Sequence, residues 1–338
     1  MLRRAALRLA AGSLSMAWAG CSRRRRELRH LRVASSPFLA NCGFYVAHEK
    51  GFFDELGFTL ELSQTTNAGQ GAMLLVHGQL DVGLYTITPA LVNLIAAGSQ
   101  IRIVAAKTAD TSGCSPPAGV VWRKGEYPRG LEGVRRLRGK KVGVGRRATS
   151  VEFWMDTILG AAGMSPTDIK PVYIGDAAAI AALEAGDLDA LVTGADLSIG
   201  PTGVLPNLEI GLNLSDVAPG AQLAFIEFGS RILDADPSVG ADFLVAYFRG
   251  VRAFRDGYDP GFVKQIVAKG GALAAEFEHM CRAYLTVDGS VNREQVDHYV
   301  RWAVKKGYCE KAVPAENMID ERYLTLAHRR ASRREGSG

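Results

Sequence analysis

Two stretches of this chain, more than a hundred residues apart, run through the same succession of strand, helix and glycine-closed turn. That repetition limits the available folds more than any single motif. In the first, Gly78-Gln79-Leu80-Asp81 leads into the apolar Val82-Gly83; in the second, Gly186-Asp187-Leu188-Asp189 leads into Ala190. In each, a glycine stands where a helix ends and positive φ is cheap, and an aspartate three residues later precedes a buried strand. Around the first corner the spacing predicts strands at 31–35, 58–62, 82–85 and 101–106, alternating with helices at 44–50, 68–77 and 89–97. Around the second it predicts strands at 119–122, 141–144, 169–174 and 190–193, with helices at 130–137, 150–161 and 176–185. Strands alternating with helices at this spacing give an α/β protein, each unit a mostly parallel sheet flanked by helices.

A further apolar strand is predicted at 224–228, and nearly everything after it is helical: 239–256, 260–269, 271–284, 292–306 and 315–319. Short helices separated by single glycines or prolines make a poor independent domain, so this segment is expected to wrap back over the first unit. A length of 338 residues suits two such units.

The formal charge of +5 sits on the ends of the chain. Residues 1–32 hold nine arginines and one acid, and 329–338 hold four arginines and one acid, which leaves the body at about −6. A groove tracking a phosphate backbone needs positive charge on the folded surface, so nucleic acid is not an expected partner. The amino terminus has arginines first, then an apolar stretch from Leu9 to Ala19, then small residues before Cys21. That order is a secretion signal, too short to span a bilayer as a mature helix. The stretch Trp18-Ala19-Gly20-Cys21 is similar to a lipoprotein processing box and makes Cys21 the expected lipidation site, with soluble release as the alternative.

The repeated phrases carry a resemblance. Gly51-Phe52-Phe53 with Leu56-Gly57, then Gly78-x-x-Asp81-Val82-Gly83, Leu137-x-Gly139-Lys140-x-Val142-Gly143-Val144 and Ala185-Gly186-x-x-Asp189-Ala190 resemble, over residues 31–328, the nitrate, taurine, sulfonate and thiamine-precursor branch of periplasmic solute-binding proteins. The resemblance implies the two-lobed periplasmic binding protein fold of type II. Its lobes would be 31–116 plus 225–328 and 117–224, after a leader and basic linker at 1–30 and before a basic tail at 329–338, with hinges near 115–118 and 220–224. It implies a monomer in the periplasm or cell envelope that closes on a small solute and delivers it to an ABC permease and its ATPase. No cofactor is implied. The alternatives are a pyrimidine-precursor synthase-like enzyme and a ligand-sensing partner of a signalling receptor.

Open sheets bind ligands beyond the carboxyl ends of their strands. In the first unit those positions are Ser36, Phe38, Asn41, Tyr45, Tyr85, Thr86, Thr88 and Asp110; in the second they are Arg147, Thr149, Ser150, Glu152, Asp176, Thr193 and Asp196. Thr88, before Pro89, and Thr149 or Ser150 also read as helix caps. Arg147 beside a helix start suits an anion. Four carboxylates (Asp110, Glu152, Asp176 and Asp196) and a slot formed by Phe38, Tyr45, Tyr85 and Trp154 weigh instead towards a ring- or amine-bearing organic solute.

Catalysis finds little support. There is no Gly-x-Ser-x-Gly elbow, and the six histidines (His30, His48, His77, His279, His298 and His328) are scattered. No CxxC pair or cysteine-histidine cluster offers a metal site. With Cys21 lipidated, Cys42, Cys114, Cys281 and Cys309 remain and allow three pairings. Cys42 and Cys114 lie in loops that the fold brings near each other, and Cys281 and Cys309 share a helical region.

The leader yields the first prediction. In envelope fractions, Cys21→Ala abolishes incorporation of radiolabelled palmitate; an intact Met1 on a cytosolic protein, read by mass spectrometry, refutes export.

Overall fold

The computed structural model describes residues 29–36, 38–65, 67–109, 118–193, 207–222, 224–269 and 281–335. The first unit runs β1 (His30–Ala34), α1 (Cys42–Glu49), β2 (Thr59–Ser63), α2 (Ala68–Val76), β3 (Val82–Thr86), α3 (Pro89–Ala96) and β4 (Arg102–Ala106). The second runs β5 (Gly119–Arg123), α4 (Leu131–Arg135), β6 (Lys141–Val144), α5 (Ser150–Ala161), β7 (Lys170–Val172), α6 (Asp176–Ala185), β8 (Ala190–Thr193) and β9 (Leu208–Asn213). The chain returns through β10 (Ala224–Phe228) to α7 (Ser230–Leu233), α8 (Pro237–Arg255), α9 (Gly261–Lys269), α10 (Arg293–Lys305), α11 (Ala315–Met318) and α12 (Arg322–Glu335).

Two five-stranded sheets result, ordered β2-β1-β3-β10-β4 and β7-β6-β8-β5-β9. Each is parallel apart from one strand: β10 runs antiparallel to β3 and β4, and β5 antiparallel to β8 and β9. Those two strands are the first to form after the chain crosses from one sheet to the other. Each sheet thus builds a lobe, and the lobes share one topology.

The repeated corner has the same physical role in both. Gly78 and Gly186 take positive φ, 61° and 85°, where a side chain would strain the backbone. Three residues on, the Asp81 amide donates to the Arg32 carbonyl at 2.8 Å, while Oδ2 of Asp81 accepts the Arg32 amide at 2.8 Å. In the second lobe the Asp189 amide donates to the Lys141 carbonyl at 2.9 Å, and Oδ2 accepts the Lys141 amide at 2.8 Å. One side chain therefore continues the parallel ladder past the end of the strand, where backbone partners run out. Asp81 is fully buried and is paired with Arg32 and Arg231 at 2.9 and 3.0 Å; Asp189 is half-buried, with Lys140 at 3.6 Å.

The C-terminal helices close the first lobe, as their short, glycine-punctuated lengths predict. Helix α8 lies on α1 at a close crossing. A Cβ on Gly250 would meet the Gly43 carbonyl at 2.1 Å, and one on Gly43 would meet Val251 at 2.4 Å. Rings of Phe53, Phe58, Phe228 and Tyr323 meet Phe243 and one another around that contact. The Asp242 carboxylate receives Arg29 at 2.6 Å and also Arg330, which joins the start of the described chain to its last helix.

Three readings differ from the sequence expectation. Strand β9 was unforeseen, because Gly211 interrupts its apolar run; the Trp122 ring occupies the space of the missing side chain. Residues 329–335, set apart as a basic tail, continue α12. The helix expected at 271–284 falls largely outside the described residues, and 282–284 form a single 3-10 turn. Of the cysteine pairings the sequence leaves open, neither Cys42–Cys114 nor Cys281–Cys309 forms, since Cys42 and Cys309 are buried and outside any disulfide. Cys281 is disulfide-bonded.

The corner generates a stability prediction. Asp81→Ala leaves two guanidinium groups and a buried amide without their acceptor and costs about 3–5 kcal/mol. Asp189→Ala, with its acceptor half-exposed, costs about 1–2 kcal/mol. Urea denaturation measures both.

Candidate functional site

A cleft of about 430 Å³ lies where the carboxyl ends of both sheets face each other, lined from the first lobe by the loops after β1, β2, β3 and β4 and from the second by residues 146–151. Nine residues expected at the site line it: Ser36, Phe38, Asn41, Tyr85, Thr86, Thr88, Arg147, Thr149 and Ser150. Phe38, 39% exposed, is a large apolar side chain left uncovered at the cleft.

The polar floor of the first lobe is held by one buried cation. Lys107 follows β4, and its Nζ donates to Asn41 Oδ1 at 2.6 Å and to the Leu84 carbonyl at 3.0 Å. Asn41 in turn donates through Nδ2 to the Ser36 carbonyl at 2.9 Å. Ser36, Asn41 and Lys107 are each at most 3% exposed, so the ammonium is desolvated beside two neutral oxygens. Beside it, Thr88 caps α3 by accepting the Leu91 amide at 3.2 Å, with Pro89 at the first helical position, as its sequence implies. Burial pushes the Tyr85 phenol up to about 12, so it stays a neutral hydroxyl.

From the second lobe comes the loop Arg146–Thr149 before α5. Ala148 takes φ 58°, the one positive φ outside glycine among the described residues. This turn presents two exposed arginines to the cleft. Thr149 occupies the N-cap position of α5 but does not cap it. Its hydroxyl donates to the Arg146 carbonyl at 2.7 Å, closing the tight turn instead. Arg147 lies over the Tyr173 ring at 4.0 Å, and no ion pair involves it among the described residues.

Other expected site residues lie elsewhere. Tyr45 packs edge-on against Phe262 at 5.1 Å and is not among the described cleft-lining residues. Glu152 is 1% exposed and faces the contact between lobes, where it takes three tyrosine hydroxyl bonds. Thr193, at the end of β8, is buried opposite Gly119 and does not line the cleft. Trp154 lines a smaller cavity of about 210 Å³ behind α5. Asp176 begins α6, and its side chain, like Asp110 and Asp196, lies outside the described residues. Of the carboxylates expected at the site, Glu152 is turned away from the described lining, which holds three cations, Lys107, Arg146 and Arg147. Sequence reasoning passed over Lys107, although a lysine ending the apolar run of β4 was the visible signal. It also passed over Thr65 and Asn67, in a loop that looked merely polar, and Gly69 in the first turn of α2. No group of three or more metal-ligating side chains occurs among the described residues, and no described helix is long and apolar enough to cross a membrane.

Two mixed sheets, each flanked by helices and facing the other across a cleft, define the two-lobed periplasmic binding protein fold. The NMT1-like family model matches residues 24–196, and the chain belongs to that family. Solved structures share the whole architecture. The periplasmic aliphatic sulphonate binding protein SsuA of Escherichia coli superposes with a TM-score of 0.68 at 18% identity, covering 86% of this chain and 92% of its own. The putative sulfonate-binding SsuA of Methylobacillus flagellatus gives 0.69 at 16%, covering 90% and 94%. The periplasmic nitrate-binding protein NrtA of Synechocystis gives 0.64 at 14%, covering 90% and 89%. No curated protein matches the chain in sequence.

Beneath the cleft, Glu227 on β10 is 1% exposed, and its Oε2 has no hydrogen-bond partner. Burial pushes its carboxyl up to about 8, with the Lys107 charge acting the other way. A carboxyl with a raised folded-state value favours the protonated form. Its effect therefore destabilises the fold as pH rises from the ordinary 4.5 towards about 8. Relative to Glu227→Gln, the wild type loses up to about 1.4 kcal/mol per pH unit across that window. Urea unfolding at pH 5 and pH 8 reads the difference, and parallel curves for the two proteins would refute it.

Proposed function

We propose that this chain is the solute-binding component of an ABC importer and that it captures a small organic anion, a sulfonate or carboxylate, between its lobes. The observation that carries the reading is the charge of the cleft. Its described lining holds Lys107, Arg146 and Arg147, the amino ends of α3 and α5, and no carboxylate. Guanidinium groups and free helix amides both favour oxyanions, which weighs against the sequence's lean towards a ring- or amine-bearing solute over a sulfonate or inorganic anion. The organic part rests on size and apolar lining. An inorganic anion near the roughly 30 Å³ of a water molecule leaves most of this cleft empty, and Phe38, Leu84, Tyr85 and Pro89 offer contact to carbon.

The lobes would be 31–116 with 225–328 and 117–224. Solute touching both stabilises the closed state, a population shift without chemistry. The described lining contains no histidine or cysteine, which supports binding over the synthase-like alternative. The sulfonate- and nitrate-binding neighbours support export to the periplasm and delivery to a membrane permease with its ATPase.

A thermal-shift panel tests the reading. Taurine, benzenesulfonate and benzoate are set against nitrate and benzylamine, on the wild type and on Arg147→Ala. At a hundredfold excess over Kd, a ligand bound only to the folded state adds about 2.7 kcal/mol. Stabilisation by an organic anion, reduced at least about tenfold in affinity by Arg147→Ala, is the expected outcome. Stabilisation by benzylamine alone would overturn it.

A further inference from the structure

The Glu152 carboxylate is buried at the first turn of α5, yet it faces neither the hydrophobic core nor the cleft. Both of its oxygens are saturated. Oε2 accepts the Ala148 amide at 2.8 Å, Oε1 accepts the Tyr173 hydroxyl at 2.9 Å, and the Tyr308 hydroxyl sits across both oxygens at 3.0 and 2.9 Å. Lys306 supplies the compensating charge at 3.5 Å. These donors come from both lobes. Ala148 and Tyr173 belong to the second, whereas Tyr308 and Lys306 follow α10, which is anchored on the first. The Tyr308 carbonyl accepts Asn93 Nδ2 of α3 at 2.9 Å, and the neighbouring Cys309 thiol lies 3.8 Å from the Pro89 carbonyl.

The same three partners surround Arg147. Its guanidinium lies over the Tyr173 ring and close to the Tyr308 hydroxyl, and the residue immediately precedes Ala148. The carboxylate thus stabilises a left-handed alanine that the chain would otherwise avoid, and it orients the two rings that hold the arginine. Among the described residues Arg147 is paired with no acid, so its charge is available to a solute.

We propose that Glu152 and Tyr308 form an inter-lobe latch that positions Arg147, so that this arginine reaches its solute-binding geometry only when the lobes come together. The proposal rests on the organic-anion reading. Glu152 and Tyr308 are positioning residues that act through Arg147 and do not touch solute. The contact next to them has a different character: Trp302 Nε1 and Lys306 both bond Asp156, at 2.8 and 2.9 Å, and Phe153 packs edge-on against Tyr299 and Trp302. That neighbouring contact holds α5 against α10 without reaching the arginine, so the latch can be broken while the packing between the lobes remains.

The test uses the full mature protein, with Tyr308→Phe as the primary variant because it removes one hydroxyl and no volume. Benzenesulfonate is titrated calorimetrically into wild type, Tyr308→Phe, Arg147→Ala and the double variant. Loss of a hydrogen bond to charged groups weakens binding about tenfold in Tyr308→Phe, and in the Arg147→Ala background the same change matters less than about twofold, since the residue it acts through is gone. An additive loss in the double variant assigns Tyr308 a merely structural role and overturns the latch. Ligand-free samples give a second reading: Tyr308→Phe raises hydrogen exchange of the amides at 146–149 and enlarges the radius of gyration in X-ray scattering, and unchanged values for both overturn the proposal. If Arg147→Ala binds benzenesulfonate as tightly as wild type, or wild type does not bind it, the anion reading fails, and the ligand-free pair alone decides the latch. Glu152→Gln, which keeps an acceptor for Ala148 while losing the charge, is expected to show an effect between those of wild type and Tyr308→Phe on amide exchange.

Discussion

A parallel strand ends with backbone groups that its neighbour cannot satisfy, and in this protein an aspartate supplies what the ladder lacks. Asp81 and Asp189 each exchange a backbone and a side-chain hydrogen bond with one residue of the adjacent strand, Arg32 and Lys141. The glycine three residues earlier lets the helix stop abruptly enough for the aspartate to reach that place. Because the corner fixes the entry of β3 beside β1, and of β8 beside β6, it also fixes where those strands end. The cleft is built on those ends.

Both lobes arrive at the cleft by the same route but furnish it differently. The first lobe contributes buried, pre-organised polarity: Lys107, Asn41 and Ser36 satisfy one another beneath the surface, and Glu227 lies below them with one oxygen unpaired. The second contributes exposed charge on a strained turn, with Ala148 left-handed and Arg146 and Arg147 open to solvent. A rigid half-site and an adjustable one suit a protein whose affinity depends on bringing the two together. In the rigid half the ammonium is already desolvated, so a solute meeting it does not bear that cost again. In the other half Arg147 depends on neighbours from both lobes for its orientation.

The chain's electrostatics follow the same division. Net positive charge, read from composition alone, suggests a cationic molecule, yet the excess lies at the termini. One terminal arginine of each end, Arg29 and Arg330, is neutralised against Asp242. Inside the cleft the sign is set by which side chains turn inward. Glu152 stands four residues from Ala148 and next to a cleft-lining stretch, but the helix carries it round to the opposite side, towards Tyr308. Proximity in sequence therefore does not make Glu152 part of the cleft's charge.

Periodicity and turn chemistry were enough to read the repeated α/β units, the return strand Ala224–Phe228 and the limits of β6, α5, α6 and β8, because each depends on contacts within a few residues: alternation, caps, and glycines at positive φ. The nine cleft residues found in advance follow from the same local rule that sites lie beyond strand ends. What the tertiary structure decided is everything that needs a distant partner. Strand β9 exists because Trp122 covers Gly211, and Lys107 belongs to the floor because Asn41 and Leu84 converge on its ammonium. Tyr45 is turned to Phe262, and Glu152 to a tyrosine 156 residues further along the chain. A sequence records the chemistry each residue can perform and the local path it takes; which side chain faces solute and which faces protein is settled only when segments far apart in the chain compete for the same space.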